Sequence, residues 1–339
     1  MLEYQLSGLG GDRRVQGLYQ HGMDMEPVDF HQIRVNSRKW WDRSSLGRPD
    51  GGGIILTPTD IVYCHENRNM PFPDVGWMET ILRHRPELIF ESLVNEALRS
   101  PGNKVMWHDH FDFMQLEHAN ESDALRWNSN NHPDKNHPDG EVRWFHSRSK
   151  FEPMELLDWA NTVLESKRIP EVLIVDDDLD VVSYRVREFD PTGCAQPPDH
   201  SHPKLIPISS ESKFVPEMDN PMFPGYMNGY VVDNFQLGVE DNSNSRVFND
   251  LITRGLFVRS GFKYGVRWRA YSKPDFQEHA PWLICQPDST PENWISACQG
   301  SRLSSGVGKI MLIPIVDDHV RYLGLLRPPP DSRWNLKRR

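Results

Sequence analysis

Two stretches of this chain are written on the same plan, and that plan limits the possible folds more than any other feature. The first is FEPMELLDWANTVLESKRIPEVLIVDDDLDVVSYRVREFDP at 151–191, and the second is STPENWISACQGSRLSSGVGKIMLIPIVDDHVRYLGLLRPPP at 289–330. Each reads as a helix, an apolar strand ending in Ile-Val-Asp-Asp, a tight acidic turn and a second strand. In the first helix Leu156, Trp159, Ala160 and Val163 recur at helical spacing; in the second, Thr290 is placed to cap and Pro291 to take the first helical position. The runs EVLIV and IMLIPIV are short and continuously apolar, as strands covered on both faces are. The stretches before them match as well. FESLVNEALRSPGNKVMWHDHFDFM at 90–114 and SRVFNDLITRGLFVRSGFKYGVRWRAY at 245–271 each give a helix, a glycine stop at Gly102 or Gly255, and then strands. A long-period repeat of this kind predicts two copies of one α/β (α+β) unit in tandem.

The repeat divides the chain into an N-terminal extension (1–49), a first unit (50–190), a linker (191–205), a second unit (206–330) and a basic tail (331–339). The opening part of the second unit, 206–244, has Pro and Gly but no clear helix, whereas 245–330 carries the candidate chemistry. The linker stretch TGCAQPPDHSHPK is rich in Pro and His. The insertion NSNNHPDKNHPDGE at 128–141 repeats Asn-His-Pro-Asp and reads as a mobile loop, and 1–49 shows little periodicity. No run approaches the ~18 apolar residues of a membrane span. The start, MLEYQLSGLGGDRR, lacks the charged-then-apolar pattern of a signal peptide. Cys64, Cys194, Cys285 and Cys298 form no CxxC pair, which argues against a disulfide framework or zinc knuckle and fits a cytoplasmic setting.

A formal net charge of −10 argues against a general nucleic-acid coat, but binding follows the local field. Basic residues gather at 254–273 and in the tail; acidic ones gather at Asp176, Asp177, Asp178 and Asp180. After Gly265 the run VRWRAY alternates, with Val266, Trp268 and Ala270 on one side and Arg267, Arg269 and Tyr271 on the other. Positive charge beside a phenol favours its ionised, proton-accepting form. His279 follows in the loop SKPDFQEH, and Lys309 opens an apolar strand after the small, Gly-rich approach SSGVG. Singly, these are a strand tyrosine among surface arginines, a solvated loop histidine and a snorkelling lysine. Together, a phenol, an imidazole and an ammonium can take the proton of a ribose 2′-hydroxyl, protonate a leaving 5′-oxygen and stabilise the phosphorane between them, with no metal or other cofactor.

The segments FNDLITRGLFVRSGFKYGVRWRAY, EHAPWLI, GVGKIMLIPIVD and YLGLLR resemble the catalytic unit of the tRNA-splicing endonucleases, particularly the archaeal type. The likeness is strong from about 245 to 330 and weaker from about 51 to 190, where GNKV and LIVDDDLDVVSYRVREFDP carry it. It implies a restriction-endonuclease-like mixed sheet in each unit and a Tyr271, His279 and Lys309 triad, with a slightly short Tyr-to-His loop. It implies cutting of precursor tRNA, not DNA, at intron–exon junctions in a bulge-helix-bulge, leaving 2′,3′-cyclic phosphate and 5′-hydroxyl ends. The fused layout resembles the homodimeric subfamily whose first unit is degenerate; here Met114 stands near the Tyr271 position and Arg168 at the Lys309 position. Arg302 and Arg327 match a pair that sandwiches a flipped base, and Arg267 and Arg269 add positive charge for RNA. The turn at Asp176, Asp177, Asp178 and Asp180 matches an acidic loop that docks into the opposite subunit.

Three other readings compete. A magnesium nuclease of restriction type needs carboxylates on its central strands, where this chain has Arg267 and Arg269. His108 and His110 in WHDHFDF share a strand face and can bind zinc, but no third ligand is evident. A non-catalytic subunit of a splicing complex has no use for an intact triad.

Overall fold

The computed structural model describes residues 25–27, 31–196, 204–217, 223, 225–234, 236–237, 242–274, 276 and 279–337. Much of the N-terminal extension (1–24 and 28–30), residues 197–203 of the linker and 338–339 of the tail lie outside the described residues. The chain divides into two compact units. One contains the residues up to His146 together with Glu165–Ser183 and the segment from Ser332; the other contains Ser147–Leu164 and Tyr184–Asp331. Among the described residues no helix is long and apolar enough to cross a membrane.

In the first unit β1 (Met25–Pro27), β2 (Ile33–Val35), β3 (Arg48–Asp50) and β4 (Gly53–Leu56) form an antiparallel sheet of order β1-β2-β4-β3, with α1 (Lys39–Ser44) between β2 and β3. Then come α2 (Pro58–Arg68), α3 (Trp77–His84) and α4 (Leu88–Arg99). α2 starts where it does because Pro58 suits the first turn and Thr57 and Asp60 form a reciprocal capping box. The Asp60 carboxylate also meets buried His110 Nε2 at 2.7 Å. A second sheet is built from β5 (Lys104–Trp107), β6 (Ala124–Trp127), β7 (Gly140–His146) and β8 (Ile169–Val175), with α5 (Phe111–Met114) after β5. β5–β6 and β6–β7 are antiparallel, and β7–β8 is parallel.

The second unit takes α6 (Pro153–Glu165) as far as Leu164 and most of β9 (Val181–Phe189). Leu156, Trp159, Ala160 and Val163 of α6 are all buried, as the helical spacing predicts. β10 (Ile206–Pro207), β11 (Ser212–Pro216), β12 (Gly225–Tyr226) and β13 (Gly229–Asp233) form a small antiparallel sheet of order β10-β11-β13-β12. α7 (Ser243–Thr253), β14 (Phe257–Ser260), β15 (Trp268–Tyr271), β16 (Trp282–Ile284), α8 (Trp294–Gly306), β17 (Ile310–Val316) and β18 (Val320–Leu326) complete it. β14–β15 and β15–β16 are antiparallel, β16–β17 is parallel, and β18 pairs antiparallel with both β17 and β9. The run from β14 to β17 therefore repeats the pairings of β5 to β8. The protein is a mixed α/β structure with a mixed sheet in each unit.

Several expectations change on contact with the structure. α8 begins at Trp294, capped by Asn293, whose Oδ1 accepts from Ser296 N at 3.0 Å; Thr290 and Pro291 lie before it, after a 3₁₀ turn at Pro287–Ser289. His108 and His110 lie in a 3₁₀ turn and not on a strand face, because Arg85 holds Asp109 at 3.0 Å and Asp60 holds His110. The 128–141 insertion is tied down. Asp139 accepts from Asn128 N at 2.8 Å and from Asn131 Nδ2 at 2.9 Å, and Trp41 Nε1 donates to Asp134 at 2.9 Å.

Two segments pack away from their neighbours in sequence. Phe151 N donates to Glu292 O at 3.0 Å and its ring meets Trp294 edge-on at 4.9 Å, all within the second unit. In the first unit Trp334 is buried, its indole N–H donates to Glu171 at 3.0 Å, and Val181 and Leu336 exchange backbone hydrogen bonds of 2.8 and 3.1 Å.

Candidate active site

The β15–β18 register brings the predicted triad to one sheet edge. Ala270 pairs with Trp282 and Trp282 with Ile310, so the next residues outward are Tyr271, Pro281 and Lys309. Ile310 N donates to Pro281 O at 3.0 Å, which carries the pairing to that edge. His279 stands two residues before Pro281 and is exposed. Lys309 Nζ donates to Ala280 O at 2.8 Å, which fixes the ammonium one residue from His279.

Local sequence explains how Lys309 gets there. α8 ends in a turn in which Gly308 has φ 67° and Lys309 N still donates to Ser304 O at 2.9 Å. Only a residue without a side chain takes that backbone easily, so SSGVG ends the helix and drops Lys309 at the strand mouth. Upstream, Gly255 (φ 76°) ends α7 so closely against Gly193 that a Cβ would lie 2.6 Å from its carbonyl oxygen. Cys194 N donates to Ser272 O at 3.0 Å and Ala195 N to Gly255 O at 2.7 Å. The first residues of the linker stretch thus brace the backbone just after Tyr271.

Tyr271 is 4% exposed and Lys309 also 4%, so the phenol and the ammonium are largely desolvated. A lone buried ammonium is expensive to hold unless it is paired or needed. Lys309 has the Ala280 carbonyl and the face of Tyr264, whose ring centre is 5.3 Å from Nζ. Tyr271 meets Phe276 edge-on at 5.3 Å, and Arg269 Cζ lies 5.8 Å from the Tyr271 ring. Arg259 pairs with Arg269 across β14–β15 and lies 4.1 Å over Phe276. Burial lowers the pKa of Arg259, Arg269 lowers it further, and Tyr271 opposes both. Sequence reading did not find Arg259, Phe276 or Tyr264.

Arg267 lies just before β15 and is exposed, its Cζ 5.8 Å from the Trp268 ring. Arg327 is exposed and lies one residue past the end of β18, not within it. Leu312 pairs with Gly324 and Leu326 with Arg185, so one step outward Lys309, Arg327 and Tyr184 follow each other along the same edge. Arg302, on α8, donates from Nε to the Tyr184 hydroxyl at 3.2 Å. Burial, with Cys298 beside it, raises the pKa of Tyr184, while burial pushes the Cys298 thiol up to about 11. The edge thus runs Tyr271, His279 with Pro281, Lys309, Arg327, with Arg302 joined through Tyr184.

The acidic turn is in the first unit. Asp176 Oδ1 accepts from Asp178 N at 3.1 Å and Asp180 N at 2.9 Å, so this carboxylate shapes its own turn. Asp177 and Asp178 are exposed, Asp180 is half-buried, and Asp177 lies 3.5 Å from His146.

The first unit offers a matched edge. Arg126, Gly140 and Ile169 hold the register positions of Ala270, Trp282 and Ile310. Trp127, not Met114, therefore occupies the Tyr271 position; Met114 ends α5, before the strand concerned. Arg168 does occupy the Lys309 position, donating to Glu141 Oε1 and Glu117 O at 2.7 Å each. Among the described residues no group of three or more His, Cys, Asp or Glu side chains is arranged to hold a metal ion.

Comparison with known proteins places likenesses in both the second unit and the longer chain. Residues 242–322 match the model of the tRNA intron endonuclease catalytic C-terminal domain, which takes in Tyr271, His279 and Lys309. The tRNA-splicing endonuclease of Picrophilus torridus is 30% identical over 161 residues, which is 46% of this chain and 55% of that protein. That of Thermoplasma volcanium is 35% identical over 85 residues, 24% of this chain and 27% of that protein. The chain thus spans about half or less of these two relatives. That of Methanococcoides burtonii is 23% identical over 85% of this chain and 94% of its own length. Residues 242–322 thus resemble the catalytic C-terminal domain of the tRNA intron endonucleases, and over most of its length the chain is similar to the tRNA-splicing endonuclease of Methanococcoides burtonii.

Proposed function

We propose that the protein is an endoribonuclease that cuts precursor tRNA at intron–exon junctions presented in a bulge-helix-bulge. The observation that carries this reading is the gathering of a buried phenol, an exposed imidazole and a buried ammonium at one edge of the second unit's sheet. Tyr271 takes the proton of the ribose 2′-hydroxyl, and that oxygen attacks the adjacent phosphorus. His279 gives a proton to the departing 5′-oxygen as the P–O bond breaks. Lys309 faces the charge that gathers on the phosphorane oxygens, where a desolvated cation is worth most. The products are a 2′,3′-cyclic phosphate and a 5′-hydroxyl.

Arg302 and Arg327 stack on an unpaired base, and Arg267 and Arg269 bind backbone phosphates. Two copies pair, with the exposed Asp177 and Asp178 of one turn set against basic surface of the other copy. Incubation with an intron-containing precursor tRNA in EDTA, followed by end-group analysis, tests the reading. Cyclic phosphate ends are expected, and a 2′-deoxy substitution at the junction abolishes cutting while binding persists. Cutting of the deoxy strand, 3′-hydroxyl products, or loss of activity in EDTA would overturn it.

A further inference from the structure

The matched edge of the first unit carries more than a vestige. Extending its register as for the second unit puts His137 at the position of His279, two residues before Asp139, whose carbonyl accepts from Ile169 N at 3.0 Å as that of Pro281 does from Ile310 N. Trp127, His137 and Arg168 thus hold the positions of Tyr271, His279 and Lys309. All three line a single cavity, together with Lys135, Asn136 and Glu117. Lys135 and His137 come from the tied-down insertion, and both are exposed.

The chemistry at these positions is divided. An imidazole, a guanidinium and an ammonium remain as donors to an anion, against the lining carboxylate of Glu117 and the buried Glu141 carboxylate already paired with Arg168. The proton acceptor is gone. Trp127 is buried, and its indole N–H donates to Asn136 O at 2.8 Å; an indole has no lone pair with which to act as a base. Arg168 is held in place by its bonds to Glu141 and Glu117, so its planar fork is preset.

We propose that this cavity binds a phosphodiester of single-stranded RNA through Arg168, Lys135 and His137 and does not cut it. The proposal rests on the reading of the chain as an RNA-processing protein. The insertion then has a role, because it places Lys135 and His137 around an anion that the edge positions alone would hold weakly.

The test uses the full chain with Lys135→Glu and His137→Ala combined, both at exposed positions. Binding is measured on a precursor tRNA made uncleavable by 2′-deoxy residues at its junctions, at two salt concentrations. Kd is expected to rise about five- to tenfold, with the salt slope smaller by about one. Single-turnover cleavage of the ordinary substrate at saturating enzyme stays as in the parent. If the parent cuts precursor tRNA and the double variant binds with unchanged Kd and slope, the inference fails and the functional reading stands. If the parent neither cuts nor binds precursor tRNA, the functional reading fails. A 2′-O-methyl trinucleotide titrated against the His137 ring proton resonances then decides the inference: a saturable shift sustains it, and no shift overturns it.

Discussion

Replacing Lys309 with Met separates the two roles that a buried lysine can have. The ammonium is 4% exposed, with a carbonyl at 2.8 Å and an aromatic face at 5.3 Å. Met keeps the length and apolar bulk of the stem. For folding, the loss of one hydrogen bond costs about 1 kcal/mol and leaves Ala280 O without that donor, while removal of a desolvated charge returns about 1–3 kcal/mol. The net change in stability is therefore within about 2 kcal/mol of zero. For catalysis, a preorganised charge aimed at the phosphorane is worth about 3–4 kcal/mol, so the single-turnover rate at saturating enzyme falls about 10²–10³-fold. Substrate binding changes little, because the phosphorane charge exists only in the transition state. Rates with precursor tRNA and urea unfolding curves measure the two effects side by side. A rate loss below about fivefold, or a destabilisation above about 3 kcal/mol, would show that Lys309 is a structural residue and refute the reasoning.

Other outcomes follow from the same geometry. His279→Ala is expected to cut about 10²–10⁴-fold more slowly and to recover when the leaving 5′-oxygen is replaced by sulfur, whereas Tyr271→Phe does not recover; the reverse pattern exchanges the acid and the base. Asp123 is half-buried, and the desolvation of its carboxyl outweighs the Trp144 N–H it accepts at 2.8 Å, raising its pKa from 3.8 to about 7. Its folded-state pKa exceeds the unfolded one, so its contribution is full below about pH 4 and is lost as pH rises through about 7, at about 1.4 kcal/mol per unit. Asp123→Asn therefore flattens the stability–pH curve over that window and is the more stable form at about pH 8; an unchanged curve contradicts this. Trp334→Ala removes a buried indole and its bond to Glu171, and is expected to destabilise by about 3–5 kcal/mol in urea unfolding; a loss under about 1 kcal/mol means that the segment is not structural. Charge reversal of Asp177 and Asp178 is expected to shift two-copy assemblies toward single copies in light scattering, and an unchanged mass argues against the docking role.

The parts of the fold that could be read from the sequence are those with long, regular apolar patterns. α6 shows its buried face through Leu156, Trp159, Ala160 and Val163, and β8 and β17 stand out as continuous apolar runs. That Tyr271 and Lys309 lie at strand ends could be anticipated, because residue types, order and spacing can be read without knowing the packing. Short strands were not legible: β1, β2 and β3 have three residues each, too few to show a period of two. β6 is hidden for a related reason. It is four residues long, and a 3₁₀ turn and α5 come between it and β5, so the strand end reads as Met114 in the sequence and is Trp127 in the fold. The insertion looked mobile because its restraints are Asp139 side-chain bonds that leave no apolar pattern and a bond from Trp41, far away in sequence. Arg259 gave no signal of its own, since only the β14–β15 register sets it opposite Arg269.

The mixed membership of the two units bears on how the protein comes off the ribosome. The first unit takes residues from three separate stretches, and Trp334 and Leu336 belong to its core although synthesis reaches them after the entire second unit. The second unit, in turn, takes Ser147–Leu164 from the earlier half. The first unit therefore waits, with the groove for Trp334 open and apolar surface bare, until residues 332–337 have emerged. A gene cut within 197–203 would yield one fragment lacking Trp334 and another lacking Phe151 and α6. Neither product would be a whole domain, although the repeat in the sequence suggests that both would.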